Sequence, residues 1–187
     1  MGRWQPDARG RLEAAALQLF SDQGFDRTTA AEVAARAGLA ERTFFRHFAD
    51  KREVLFRGSE QLQAFLVQQV ADAPASTGPL DAVGGALAAS GPIFREPGYV
   101  QARQRVIAAN AELQERELIK LARLAGALTD ALRRRGVTDP AAGLAAEVGI
   151  AVFKVAFGRW VDSDGERDFT DLVRDSLEQL KAVTAGR

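Results

Sequence analysis

At 187 residues, with 47% hydrophobic and 27% charged residues, the chain has the composition of one or two ordinary globular domains. It contains no cysteine, which excludes disulfides, thiolate metal sites and cysteine nucleophiles. Its 25 basic residues balance 25 acidic ones, so bulk charge gives no reason to expect a nucleic-acid partner, and any such partner must be held by the placement of a few cations.

The N-terminal MGRWQP reads as a loose arm in which Arg3 could reach a phosphate or the minor groove and Trp4 accompanies it. A first helix is expected from about Pro6 to Gln23, with Ala8, Leu12, Ala15, Ala16, Leu19 and Phe20 on one stripe. Gly24 closes it and Phe25 tucks back toward the core. Thr29 followed by Glu32 forms a capping box, which sets the start of a second helix. Val33, Ala34 and Ala37 give that helix a narrow apolar face, and Gly38 supplies the left-handed residue that ends it. The next segment, AERTFFRHF, places Phe44 and Phe48 four residues apart on one face and leaves Glu41, Arg42, Thr43 and Arg46 pointing outward. Two short helices joined by a glycine turn make a helix-turn-helix unit, and its second helix suits the width of a DNA major groove.

Residues 24–56, GFDRTTAAEVAARAGLAERTFFRHFADKREVLF, resemble the DNA-binding segment of the TetR family of transcriptional regulators, and Leu12 to Phe20 resembles that family's first helix. The resemblance rests on Gly24, Phe25, Thr28, Thr29, the Ala34–Leu39 turn, Thr43, Phe45, Phe48 and Lys51 taken together. A DNA-binding reading of that helix puts Glu41, Arg42 and Thr43 against base edges, with Arg46 also on the DNA-binding face, and the resemblance supports those positions; it implies that Thr28, Thr29, Phe45, His47 and Lys51 hold or flank phosphates. Phe45 stands where the family usually has Tyr. Ala40 stands where it often has a Ser cap, which leaves backbone N–H groups at the start of this helix open to a phosphate.

Further along, Asp50 and Glu53 repeat the capping pattern, and a fourth helix is expected to run unbroken from there to about Asp72 as a rod between the DNA-binding unit and the rest. The Ala-, Pro- and Ser-rich stretch 71–79 is the clearest break in the chain. Helices are then expected over residues 80–90, 97–109, 111–135, 140–161 and 168–184, with breaks at Gly91-Pro92, Arg95–Gly98, Asn110, Gly136 and Asp162–Gly165. The run Arg133–Arg135 reads as a solvated helix end favoured by the helix dipole. No period-two alternation appears, so the fold class is all-α with about nine helices: a three-helix DNA-binding domain over 1–57, and a helical ligand-binding and dimerisation domain over 58–187.

The helix 140–161 is apolar around most of its circumference, and 168–184 carries the stripe Phe169, Leu172, Val173, Leu177, Leu180 and Val183. Two such helices from each of two subunits would close a four-helix bundle, with Glu147, Ile150, Ala151, Lys154, Leu172, Leu177 and Leu180 at the interface. Phe94, Tyr99, Arg103, Phe153, Phe157 and Trp160 are the candidates for lining an effector cavity.

Catalysis finds no support. His47 is the only histidine and has no partner at metal-ligand spacing, and there is no phosphate-binding glycine loop, so no metal, no catalytic residue and no cofactor is expected. No window approaches about 18 unbroken apolar residues, and the first residues lack the apolar core of a signal peptide, so a cytoplasmic protein without a membrane partner is expected. The expected partners are operator DNA, a second copy of the chain and a small-molecule effector, with a repressor as the expected role. The competing class is a helical carrier or interaction module that binds no operator.

Overall fold

The computed structural model describes residues 7–94, 96–163 and 166–186. Among these are nine α-helices, two short 3-10 helices and no strand. The expected arm with Arg3 and Trp4, the start at Pro6, and Arg95, Asp164 and Gly165 within the expected breaks lie outside the described residues. The chain divides into two compact units: one gathers the residues up to Arg57 with Ala102–Glu117, the other Gly58–Gln101 with the residues from Leu118 on.

In the first unit, α1 spans Ala8–Gln23. Its cap is Asp7, whose Oδ1 accepts from the Gly10 N–H at 2.8 Å and so sets the start of the helix at Ala8. Leu12, Ala16 and Phe20 are buried, and Phe25 returns edge-on to Phe20 at 5.1 Å between ring centroids. Helix α2, Ala30–Arg36, begins with the expected capping box. It ends in a Schellman turn: Gly38 has φ +67°, Leu39 N–H donates to Ala34 O at 2.8 Å and Gly38 N–H to Ala35 O at 3.0 Å. Helix α3, Glu41–His47, packs on α2 and α1 through Phe44, which is wholly buried, and through Phe48 just past its end. Ala40 sits in extended backbone at the cap position and offers no side-chain hydrogen bond.

The expected rod from Asp50 to Asp72 is two elements. Asp50 does cap, its Oδ1 accepting from the Arg52 N–H at 2.8 Å and the Glu53 N–H at 3.1 Å, but the helix it starts is a 3-10 helix, Arg52–Phe56. The Glu53 carboxylate is paired with Arg116. Gly58 then takes φ +81°, a conformation that no α-helix continues through, and α4 starts afresh at Ser59 and runs to Asp72.

The second unit contains α4, α5 (Pro79–Ala89), a 3-10 turn at Gly91–Ile93, α8 (Ala141–Asp162) and α9 (Phe169–Thr184), together with parts of α6 (Pro97–Ala108) and α7 (Ala111–Arg134). Helix α5 is its centre and packs on α4, α8 and α9. The crossing with α8 depends on Gly149, because a Cβ there would stand 2.3 Å from Val83 Cγ1 on α5. The α9 stripe proves to be the core of one chain: Leu172 is fully buried, Ile150 and Leu177 nearly so, and Leu180 packs partly buried against the same cluster. These four residues of the expected interface are thus covered by their own chain. The uncovered face of α8 is Leu144, Glu147, Ala151, Lys154, Val155 and Gly158, with Leu144 and Val155 more than half exposed. By length and composition α8 is apolar enough to cross a membrane, yet it is a core helix of this unit and carries charges along its open face.

The Arg133–Arg135 run also differs from expectation. Arg133 pairs with Asp130 and Asp139. The Arg135 guanidinium donates to the carbonyls of Val70, Ala73 and Pro74 at 2.7, 2.6 and 2.9 Å, and so caps the C-terminus of α4 from the turn that follows α7. A helix dipole does hold this cation, but it is the dipole of α4 rather than that of α7.

Arg135→Ala should cost about 2 to 3 kcal/mol of stability by leaving those carbonyls without a charged donor, and Arg135→Lys should recover only part of it because an ammonium cannot fork over three acceptors. Denaturant titration of the three proteins measures both. Ala40→Ser should raise stability by about 1 kcal/mol by capping α3; a thermal melt showing no gain would mean that those N–H groups already have partners.

Candidate nucleic-acid interface

The burial of Phe44 and Phe48 orients α3. With those rings turned inward, Glu41, Arg42, Phe45 and Arg46 are exposed together, Thr43 is half-buried at their edge, and Phe45 is 53% exposed. Arg42 and Arg46 make no ion pair among the described residues, so both guanidiniums are free for an anion. His47 is half-buried, its ring 6.4 Å from that of Phe48, and its Nε2 has no hydrogen-bond partner among the described residues.

The remaining predicted contacts divide by where their polar atoms go. Thr29 stands at the start of α2, its N–H donating to Glu32 Oε2 at 2.7 Å and its hydroxyl to the same oxygen at 2.8 Å. Those bonds hold the Glu32 carboxyl below its ordinary pKa. Thr28 is buried, and its hydroxyl donates to Gly24 O at 2.8 Å while accepting from Gln23 Nε2 at 3.2 Å. Lys51 donates from Nζ to Phe25 O at 2.7 Å and lies 4.0 Å from the centroid of the Phe25 ring. Thr28 and Lys51 therefore shape the turns that carry α2 and α3.

Sequence reasoning passed over Glu13. It lies in the buried stripe of α1, 4% exposed, with Arg57 Nη1 at 2.5 Å and Arg9 Nε at 3.3 Å. Burial raises its pKa, and the Arg57 hydrogen bond and the charges of Arg57 and Arg9 oppose that rise. A carboxylate between Leu12 and Ala15 was the available signal, since an acid on an apolar stripe needs a cation to meet it.

In the second unit, four of the predicted pocket residues come together. Phe94 has its ring 5.7 Å from Phe157 and 5.8 Å from Trp160, and Phe153 stacks on Phe157 at 5.6 Å. Phe169 completes the cluster at 4.6 Å from Phe94. Tyr99 is half-buried on α6. Arg103 belongs to the first unit instead, where its Nε donates to Leu55 O and its guanidinium lies 5.1 Å from the Phe56 centroid. An open hollow of about 430 Å³ lies elsewhere in the second unit, between α5 and α9, lined by Gly84, Ala88, Pro92, Thr170 and Arg174 among others, and none of the predicted pocket residues reaches it.

Comparison with known proteins matches both parts of the chain. The family described as bacterial regulatory proteins, tetR family, matches residues 12–57, and the MftR C-terminal domain matches residues 77–185. The HTH-type transcriptional regulator TcmR of Streptomyces glaucescens is 37% identical over 81 residues, which are 43% of this chain and 36% of TcmR. The chain thus matches only about a third of the length of that relative. Two solved structures share the fold. FadR of Thermus thermophilus, a TetR-family transcriptional repressor in complex with lauroyl-CoA, has a TM-score of 0.51 at 24% identity, covering 92% of each chain. NalD, the secondary repressor of the MexAB-OprM multidrug efflux pump in Pseudomonas aeruginosa, has a TM-score of 0.61 at 15% identity, covering 92% of this chain and 96% of that one. With an uncovered outer face on its helix-turn-helix and family matches over both its segments, the chain belongs to the TetR family of DNA-binding, ligand-responsive transcriptional regulators.

Proposed function

We propose that the protein is a cytoplasmic repressor that binds a roughly palindromic operator as a homodimer and leaves it when a small molecule occupies the second unit. The observation that carries this reading is the outer face of α3, where Arg42 and Arg46 stand exposed above the buried Phe44 and Phe48, with no ion pair among the described residues. Arg42 can approach guanine O6 and N7 with two donors, and the Thr43 methyl can meet a thymine methyl. Thr29, Phe45 and His47 supply the flanking contacts. The N–H groups at the start of α3, which no side chain caps, suit a phosphate oxygen. Two recognition helices must reach successive major grooves about 34 Å apart, which requires a two-fold partner.

The face of α8 supports that dimer. Leu144, Ala151, Val155 and Gly158 are apolar or small and uncovered, and Glu147 and Lys154 lie on the same face with no ion pair among the described residues. Their spacing of seven residues is about 10.5 Å along the axis, too far for a pair within one helix. Across a two-fold axis Glu147 meets the second copy's Lys154 and the reverse, which sets the register. The effector is proposed to be largely apolar, entering by parting the rings of Phe94, Phe153, Phe157 and Trp160, and the lauroyl-CoA held by the Thermus thermophilus repressor is consistent with that chemistry.

A mobility shift with the DNA flanking the protein's own gene tests operator binding; binding of apolar ligands without any shift would favour a helical carrier. Arg42→Ala should weaken specific binding by roughly 1 to 3 kcal/mol and relax discrimination at one operator position. A competition series of single-base operator variants reads this out, and uniform weakening at every position would remove Arg42 from base readout. For the dimer, Glu147→Lys should promote dissociation and the added Lys154→Glu should reverse it. Sedimentation at low protein concentration decides: a single variant as dimeric as the parent, or a double variant no better than the single, rules out the pairing.

A further inference from the structure

The 3-10 helix Arg52–Phe56 comes only four residues after α3, and its own hydrogen bonds are too few to hold it. Its N-terminus is capped locally by Asp50. Its other restraints come from far along the chain. The Leu55 carbonyl, at the end where a short helix leaves acceptors without partners, takes the Nε–H of Arg103, and the same guanidinium lies over the Phe56 ring. The Glu53 carboxylate takes Arg116. Glu117 orients Arg103 from 3.8 Å and accepts from Gln104 Nε2 at 3.3 Å. The side chains of Arg103 and Glu53 are 17% and 18% exposed, so solvent and salt screen these pairs less than they would at an open surface.

We infer that Arg103 and Arg116, at the α6–α7 corner, are positioning residues for DNA recognition: they hold the turn Arg52–Phe56, and through it the tilt of α3, without touching DNA themselves. The inference rests on the operator-binding reading above. Only Phe48–Lys51 separate the recognition helix from the turn, so a displacement of 52–56 has little chain in which to be absorbed before it reaches Glu41–His47. Base readout by paired hydrogen bonds tolerates errors of about 0.5 Å, so a small tilt is enough to cost affinity. Residues 102–117 cluster with the helix-turn-helix for this reason, although some fifty residues separate them from it in sequence.

The test uses the full-length protein and a duplex of the DNA flanking its gene. Arg116→Glu and Glu53→Arg should each weaken binding about tenfold, and the charge-reversed double variant, with the net charge of the parent, should recover to within about threefold of it. Arg103→Lys keeps the charge but loses the fork over Leu55 and Phe56, and should weaken binding with the slope of log affinity against log salt unchanged, because no phosphate contact is removed. Hydrogen exchange should speed up at 52–56 and through 41–47 in the single variants and slow again in the double. Single variants that bind like the parent, a double variant no better than the singles, or a shallower salt slope for Arg103→Lys would each overturn the inference. If the parent shifts no duplex, operator binding itself fails, and exchange then decides alone: unchanged rates at 41–47 in Arg116→Glu overturn the positioning role.

Discussion

The burial of Phe44 and Phe48 is the constraint on which the DNA-binding unit depends. Removing a phenylalanine side chain from water contributes about 2 to 3 kcal/mol, and a seven-residue helix has little intrinsic stability of its own. The two rings therefore decide both that α3 forms and which way it faces. They are buried together with Leu12, Ala16, Phe20, Val33 and Ala34 of α1 and α2, the helices on which α3 packs. Everything polar on the helix is left on the opposite side.

Electrical neutrality and DNA binding are reconciled by how the cations are distributed. In the first unit many arginines are engaged by structure: Arg57 and Arg9 around Glu13, Arg52 on Asp50, Arg116 on Glu53, Arg103 beside Glu117. Lys51 is held by a backbone carbonyl. Arg42 and Arg46 stand outside that pairing, on the one face where a groove could be read. A protein of zero net charge can thus still present two exposed guanidiniums on one face, beside the single carboxylate of Glu41.

In the second unit the apolar groups are divided in the same way between interior and surface. Helix α5 is rich in Gly and Ala, and Gly84 lets Leu177 of α9 reach its backbone, while Gly149 of α8 makes room for Val83 of α5. The core takes most of the α9 stripe and one stripe of α8. What α8 keeps for the surface is a second stripe of Leu144, Ala151 and Val155 with one acid and one base, a more apolar surface than water favours.

Local chemistry was legible in the sequence wherever both partners of an interaction lie within one turn of each other. The Thr29–Glu32 box, the Gly38 stop, the return of Phe25 and the inward pair Phe44 and Phe48 are of this kind, as are the helix spans after Pro79, because periodicity and caps act over three or four residues. The outward face of α3 comes from the same local rule. Tertiary structure decided each case in which a distant partner competes for a group. Arg116 found Glu53, Phe25 took Lys51, the end of α4 took Arg135, the core took Leu172 and Leu177, and residues 102–117 joined the helix-turn-helix rather than the helices after them. A helical pattern states which residues share a face but not what the face will meet, and a charge states that it needs a partner but not where in the chain that partner lies.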